Sequence, residues 1–297
     1  MIKIFVPPIE QFELNESQGE INHIIKDGVK LNSRTELVKS YAECDYVFLD
    51  FRHINNRSGY KGNLKEFDKN KIIVIDYSDQ QELFDVNCLH YFKRSSVLKG
   101  EGKFKNYSRE VRPISYCVKN DWLDYDTNYA EERDIDISVF FRKESERIKG
   151  GMTNRELVAS FVDEYFKHKN IHVGIVDTDG EAGRINVGKE YVDKMLRSKI
   201  VVNCNPDDWE GDYRLFETLS CGSLVLVDKM ITPAVNPFEH RKHLGYYDSL
   251  EELGSQIEYY LDNDNERKQT ARNGYEYALK YHKTSDRIDE ILEVIGI

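Results

Sequence analysis

No stretch of this chain approaches the roughly 18 consecutive apolar residues that a membrane span requires. The N-terminal apolar run is stopped at Pro7 and Pro8, too short for the hydrophobic segment of a signal peptide. Disulfide and metal signatures are missing as well. The five cysteines, Cys44, Cys88, Cys117, Cys204 and Cys221, contain no CxxC pair, and an odd, scattered count fits reduced thiols in a cytosol-like compartment. The eight histidines contain no HxH or HExxH, which argues against a zinc site. Positive charge is in deficit: 42 Lys and Arg stand against 53 Asp and Glu, a net charge of -11. Such a balance disfavours bulk binding to nucleic acid or to an anionic membrane surface, while leaving room for a local basic pocket. No repeat of fixed period is present. These absences together predict a cytoplasmic protein with no nucleic-acid partner and no membrane span.

The chain has 297 residues, 40% hydrophobic and 32% charged, so it is globular and long enough for two cores. Short apolar runs alternate with helical or polar connections, the pattern of a mainly parallel α/β sheet. In the first half, strands are expected at Ile2–Val6, Tyr46–Asp50, Lys71–Asp76, Cys88–Phe92 and Val111–Val118, with a helix at Arg34–Glu43. A polar stretch, Trp122–Arg133, reads as a linker. The pattern then restarts with a strand at Ile135–Phe141. A helix opens at Thr153, where Glu156 completes a capping box. A strand at Ile171–Val176, a helix at Gly188–Ser198 and three C-terminal helices from Ser249, Asp264 and Ser285 follow. The expected domains are 1–125 and 126–297, two Rossmann-like units facing each other across a cleft, with the last helix able to pack back on the first unit.

The rest is organised around Lys199–Asp228, which reads as strand, acidic loop, helix, Gly222 turn and strand. Gly222 sits where a helix end calls for positive φ. Arg214, Glu217 and Cys221, at i, i+3 and i+7, share a helical face. The start of such a helix, at the carboxyl end of an open sheet, is where α/β folds bind ligands and where backbone N–H groups favour a phosphate. Arg214 adds a fork of donors, and Glu217 can accept from vicinal hydroxyls. The plainer alternative is a surface pair between Arg214 and Glu217, worth under about 1 kcal/mol.

Arg142 at the end of its strand, the run Ser198–Asn203, the loop Trp209–Asp212, the helix Arg214-Leu-Phe-Glu217, the segment Ser220–Asp228, and the tail residues Asn273, His282 and Arg287 stand in an order that resembles the donor-binding half of nucleotide-sugar glycosyltransferases of the GT-B fold. The likeness is to the group-1 set, and also to exostosin-like and viral or phage transferases, and it covers roughly residues 135–290. It implies an α/β fold of two facing Rossmann-like domains and transfer of a sugar from a nucleoside diphosphate sugar to an acceptor hydroxyl, with a glycan as acceptor and no metal or other cofactor. It assigns Arg142, Lys143, Asp212, Tyr213, Arg214, Glu217 and Ser220 to the donor, Glu217 on its ribose. Arg147 is a further candidate cation for the diphosphate. One departure stands out. Retaining members carry two glutamates, the second on this helix, at a spacing one residue longer than Glu210 to Glu217.

An inverting enzyme needs a general base from the first half. Asp50 and His53 follow a strand end and are the candidates, with Glu10 and Asp76 behind them; a strand-end turn former and a surface histidine are the plain alternatives. The loop Asp177-Thr-Asp179-Gly180 looks like an acidic metal loop but has Gly188 where an EF-hand needs its glutamate. High aromatic content, 19 Tyr and 14 Phe, suits sugar stacking but also ordinary cores. Two other functions remain open. One is a nucleotide-sugar epimerase or phosphorylase on the same scaffold, the other a non-catalytic glycan- or nucleotide-binding relative. If the chain is viral, its compartment is the host cytoplasm.

Overall fold

The computed structural model describes residues 1–9, 21–55, 60, 62–79, 83–95, 111–123, 132–142, 152–176, 189–205, 211–230 and 234–297. Two parallel sheets form its two halves. The first contains β1 (Ile2–Phe5), β2 (Thr35–Val38), β3 (Tyr46–Asp50), β4 (Ile72–Asp76), β5 (His90–Lys93) and β6 (Val111–Pro113), in spatial order β2-β1-β3-β4-β5-β6. The second contains β7 (Ile135–Arg142), β8 (Ile171–Val176), β9 (Ser198–Asn203), β10 (Leu224–Asp228) and β11 (Gly245–Tyr247), in order β11-β10-β9-β7-β8. Strands such as β4 are buried along their whole length. That is why they read as continuous apolar runs rather than alternating ones.

The helices are α1 (Asp27–Leu31, entered through a π-helical turn at Ile21–Lys26), α2 (Phe51–Ile54), α3 (Asn154–Tyr165), α4 (Lys189–Arg197), α5 (Tyr213–Ser220), α6 (Leu250–Asp262), α7 (Asp264–Tyr281) and α8 (Thr284–Val294). The capping box at Thr153 and Glu156 starts α3 as expected. Gly222 closes α5 with φ of +64°. No helix among the described residues is long and apolar enough to cross a membrane.

Two sequence expectations are corrected in the first half. Residues 34–43 are not a helix: Thr35–Val38 is edge strand β2, paired with β1 at Ile2↔Thr35 through Phe5↔Val38. Thr35 and Val38 point inward while Glu36 is exposed, and pairing with a neighbour outweighs a weak helical preference. The helical segment at Ile21–Leu31 lies where no element was expected. The expected strand 111–118 is shorter, with Val118 forming an isolated bridge to Lys283. The domain boundary expected at 125 falls outside the described residues.

The last helix crosses back. Asn32 Nδ2 donates to the Ser285 carbonyl and to Asp289, at 3.1 and 2.9 Å. Thr284 Oγ1 donates to the Val118 carbonyl at 3.1 Å. Gly28 lets α1 and α8 meet closely, since a Cβ there would lie 2.9 Å from Ile288 and 3.0 Å from the Thr284 carbonyl. Gly28→Ala should therefore lower stability by about 1–3 kcal/mol through overpacking, despite alanine's better helix propensity. Denaturant melts check this, and a stabilised variant would contradict the close approach.

Candidate active site at the start of α5

The start of α5 is built around one carboxylate. Asp212 is the N-cap, its Oδ1 accepting from the Arg214 backbone N–H at 3.1 Å. Its Oδ2 accepts from Arg155 Nη2 at 2.7 Å and from Arg214 Nη1 at 2.9 Å. Arg155 also donates through Nε to the Cys204 carbonyl at 2.9 Å. Both guanidiniums lie over the Phe141 ring, 5.7 and 5.8 Å from its centroid. Each arginine is the second residue of its helix, α3 or α5. A cation at that position opposes the helix dipole. Two helix N-termini and two guanidiniums, with the Asp212 carboxylate between them, therefore meet at the carboxyl edge of the second sheet.

The first half reaches this corner directly. Arg94, buried at the end of β5, donates from Nη1 to the Gly211 carbonyl at 2.7 Å and from Nε to the Tyr77 carbonyl at 3.2 Å, and it pairs with Asp79. Gly211, at φ +78°, donates its N–H to Asn205 Oδ1 at 3.0 Å, and Asn205 Nδ2 donates to Asp228 at 3.0 Å. Tyr116 stacks on Tyr213 with ring centroids 3.8 Å apart, and the Lys119 ammonium sits 4.3 Å from the Tyr213 ring.

The sequence-chosen donor residues divide. Asp212 and Arg214 belong to the cationic corner. Tyr213 is buried in the aromatic contact between the halves. Glu217 does not pair with Arg214; it is buried and accepts from Tyr191 Oη at 2.8 Å. Arg214 has turned to Asp212, which is nearer the helix end. Ser220 is buried and bonds back to the Phe216 carbonyl at 2.7 Å, so its hydroxyl closes the helix rather than a ligand site. Arg142 ends β7, while Lys143, Arg147, Glu10, Glu210 and the Asp177–Asp179 loop lie outside the described residues.

The two expected bases are engaged locally. Asp50 is buried, caps α2 through the Arg52 N–H and pairs with the Arg52 guanidinium at 3.0 Å. His53 is fully buried; its Nδ1 accepts from the Asp50 N–H at 2.9 Å and its Nε2 meets the Pro7 carbonyl at 2.9 Å. The imidazole is thus a neutral bracket between β3 and the end of β1, and both groups are bonded within their own turn. Asp76 is likewise buried, holding Tyr91 Oη at 2.6 Å and Lys93 Nζ at 3.3 Å. Burial lowers the Lys93 ammonium to about 8 even with Asp76 beside it.

Sequence reasoning missed Arg155, Arg94, Tyr116 and Asn205. Arg155 did carry a signal: a cation in the first turn of a helix is electrostatically misplaced unless an anion is near.

The fold, two parallel α/β halves, is of the GT-B type. Residues 155–293 match the model of a glycosyl transferase-like family. Among solved structures, the chain is similar to an α-glucosyltransferase in complex with UDP, with 14% identity, 100% of this chain and 99% of that one covered, and a TM-score of 0.56. An α-glucosyltransferase in complex with UDP-glucose and DNA containing an abasic site gives 13% identity, the same coverage and 0.54. A glycosyltransferase from Rickettsia africae ESF-5 gives 11%, 99% and 97% coverage, and 0.53. No curated protein matches the sequence.

Burial lowers the His53 imidazole to about 4 from its ordinary 6.5. The unfolded chain therefore takes up a proton between those values while the folded chain does not. Stability should fall as pH drops from about 6.5 toward 4, by up to roughly 3 kcal/mol from this group. His53→Gln should lose less stability than wild type between pH 7 and 4.5 in urea melts. An identical pH dependence would remove the buried-neutral assignment.

Proposed function

We propose that this protein transfers a sugar from a nucleoside diphosphate sugar to an acceptor hydroxyl. The observation that carries the reading is the pairing of Arg155 and Arg214 on Asp212 at two helix N-termini. The leaving group of such a transfer is a nucleoside diphosphate on which negative charge grows in the transition state. Preorganised cations and helix N-termini stabilise that charge without reorganising. In this reading the two guanidiniums bind the diphosphate, and Asp212 holds them in register so that neither must be ordered when donor arrives. Arg142 and Lys143 are proposed as further donor contacts from the end of β7. Glu217, carried on α5 and held by Tyr191, is proposed as the acceptor for ribose hydroxyls.

The chemistry is proposed to need no metal, since arginines take the role a divalent cation has elsewhere. The acceptor is proposed to be a hydroxyl on a glycan. One structurally similar glucosyltransferase is in complex with DNA, but a net charge of -11 here disfavours a polyanionic acceptor. The five free cysteines agree with work in a reducing cytoplasm.

Thermal shift and donor hydrolysis with UDP, UDP-glucose and other nucleotide sugars test the reading. Wild type should be stabilised by at least one nucleotide sugar and should hydrolyse or transfer it equally well in EDTA. Arg155→Ala and Arg214→Ala should each weaken nucleotide binding by about tenfold or more, from the loss of one charge-assisted contact. Unchanged binding in both variants would remove the diphosphate assignment. Interconversion of the donor sugar without transfer would favour an epimerase instead.

A further inference from the structure

Asn203 is the last residue of β9 and is 3% exposed. Neither its Nδ2 nor its Oδ1 has a hydrogen-bond partner among the described residues. Its backbone is fixed: the Asn203 carbonyl accepts from Tyr247 Oη at 2.6 Å, and β10 pairs alongside at Val227. An amide buried in this way forfeits its bonds to water and receives nothing in return. It is a poor choice for packing alone, where leucine has nearly the same shape.

The position of Asn203 relative to α5 follows from the register. Val201 packs with Cys221, Phe140 and Met195 on one face of the sheet, and Asn203, two residues further along β9, points to that same face. It stands about 6–7 Å beyond Val201. α5 runs back antiparallel to β9, and Glu217 lies four residues before Cys221, about 6 Å along the axis. Asn203 and Glu217 therefore stand at one level, at the carboxyl edge of the sheet. The Cys221 thiol, one turn from Glu217 on the same helix, is pushed up by burial and then by the charge of Glu217. Tyr191 closes the group, bonded to Glu217 and edge-on to Phe140 at 5.0 Å.

We infer that the Asn203 side-chain amide is a specificity-determining contact for a neutral hydroxyl-bearing part of the donor, its ribose or its sugar, and not for the diphosphate. The inference rests on the nucleotide-sugar reading above. The chemistry of the group selects the partner. An amide presents acceptor and donors together, and a hydroxyl, which both gives and takes, satisfies both atoms. A phosphate would satisfy Nδ2 and leave Oδ1 orphaned, and it would face the Glu217 carboxylate at the same level. The cations that suit phosphate lie on the opposite face, over Phe141, which packs with Val139 and Val202 rather than with Val201.

The test is Asn203→Leu, with Asn203→Ala as a second variant should the first fold poorly. Affinities for UDP-glucose, UDP and inorganic diphosphate are measured by calorimetry or competition. Both variants should bind UDP-glucose or UDP about tenfold or more weakly, as a site built for a hydroxyl does when its partner is lost. Diphosphate affinity should stay within about twofold, and the melting temperature without ligand should be unchanged or higher for Asn203→Leu. Unchanged UDP-glucose and UDP affinity overturns the inference, because the amide is then satisfied by water alone. Equal weakening of all three ligands overturns it too, since the amide would then act on the phosphates or on the fold. Those two outcomes leave the transferase reading standing, provided Arg155→Ala still weakens UDP binding. Wild type that binds none of the three overturns both.

Discussion

One carboxylate between two guanidiniums orders the start of α5. Asp212 caps the helix, accepts from Arg155 and Arg214, and keeps both side chains over Phe141. The three side chains are 5–14% exposed, so the surrounding water does little to screen them. An ion cluster of this kind is weak evidence for stability, because desolvation offsets most of the Coulomb gain. Removing Asp212, however, would take away the carboxylate that both guanidiniums share. In the proposed reading the cluster serves an anion, while its neighbours Gly211 and Tyr213 join the two halves.

The same corner fastens the two halves. Arg94 from the first half grips the Gly211 carbonyl, and the φ of Gly211 points that carbonyl where the arginine can reach it. Tyr116 stacks on Tyr213, while its carbonyl accepts from Arg287 of α8 at 3.2 Å. Arg287 in turn meets His282, whose imidazole is lowered to about 2 by burial and by that guanidinium. His282 Nε2 reaches the Asn236 carbonyl at 2.9 Å. The crossover helix is thereby linked through one tyrosine to the first residue of α5.

Much of this was legible in the sequence. Strands buried on both faces, such as β4, announced themselves as apolar runs, and β8 and the start of α7 fall where they were expected. Thr153 and Glu156 marked the start of α3, and Gly222 the end of α5. The illegible parts depended on partners distant along the chain. Residues 34–43 look helical in isolation, yet Thr35–Val38 becomes a strand against the edge that β1 offers, and only Tyr41–Glu43 keeps a 3-10 turn. Arg214 and Glu217 share a helical spacing, yet each found a better partner, Asp212 at the cap and Tyr191 on α4. Asp50 and His53 looked like cleft residues because they follow a strand end. A capping box with both side chains turned inward uses the same residue types, and spacing alone does not separate the two.

The two faces of the second sheet carry different chemistry at their common edge. Over Phe141 stand two cations and two helix N-termini. On the Phe140 face stand Glu217, Tyr191 and the amide of Asn203, a neutral-to-acidic group rich in hydrogen-bonding atoms. A free phosphate would use only the first, and a free sugar only the second. A molecule that uses both must join a compact anionic segment to hydroxyl-bearing rings within the width of a strand end, and nucleoside diphosphate sugars have that construction. In the proposed reading, the like charge of Glu217 would keep the diphosphate from sliding toward the hydroxyl side. The arginines offer nothing that a neutral ring needs. On the proposed reading, discrimination on this edge would come as much from what each face repels as from what it binds, and it would set the register of the donor along the edge.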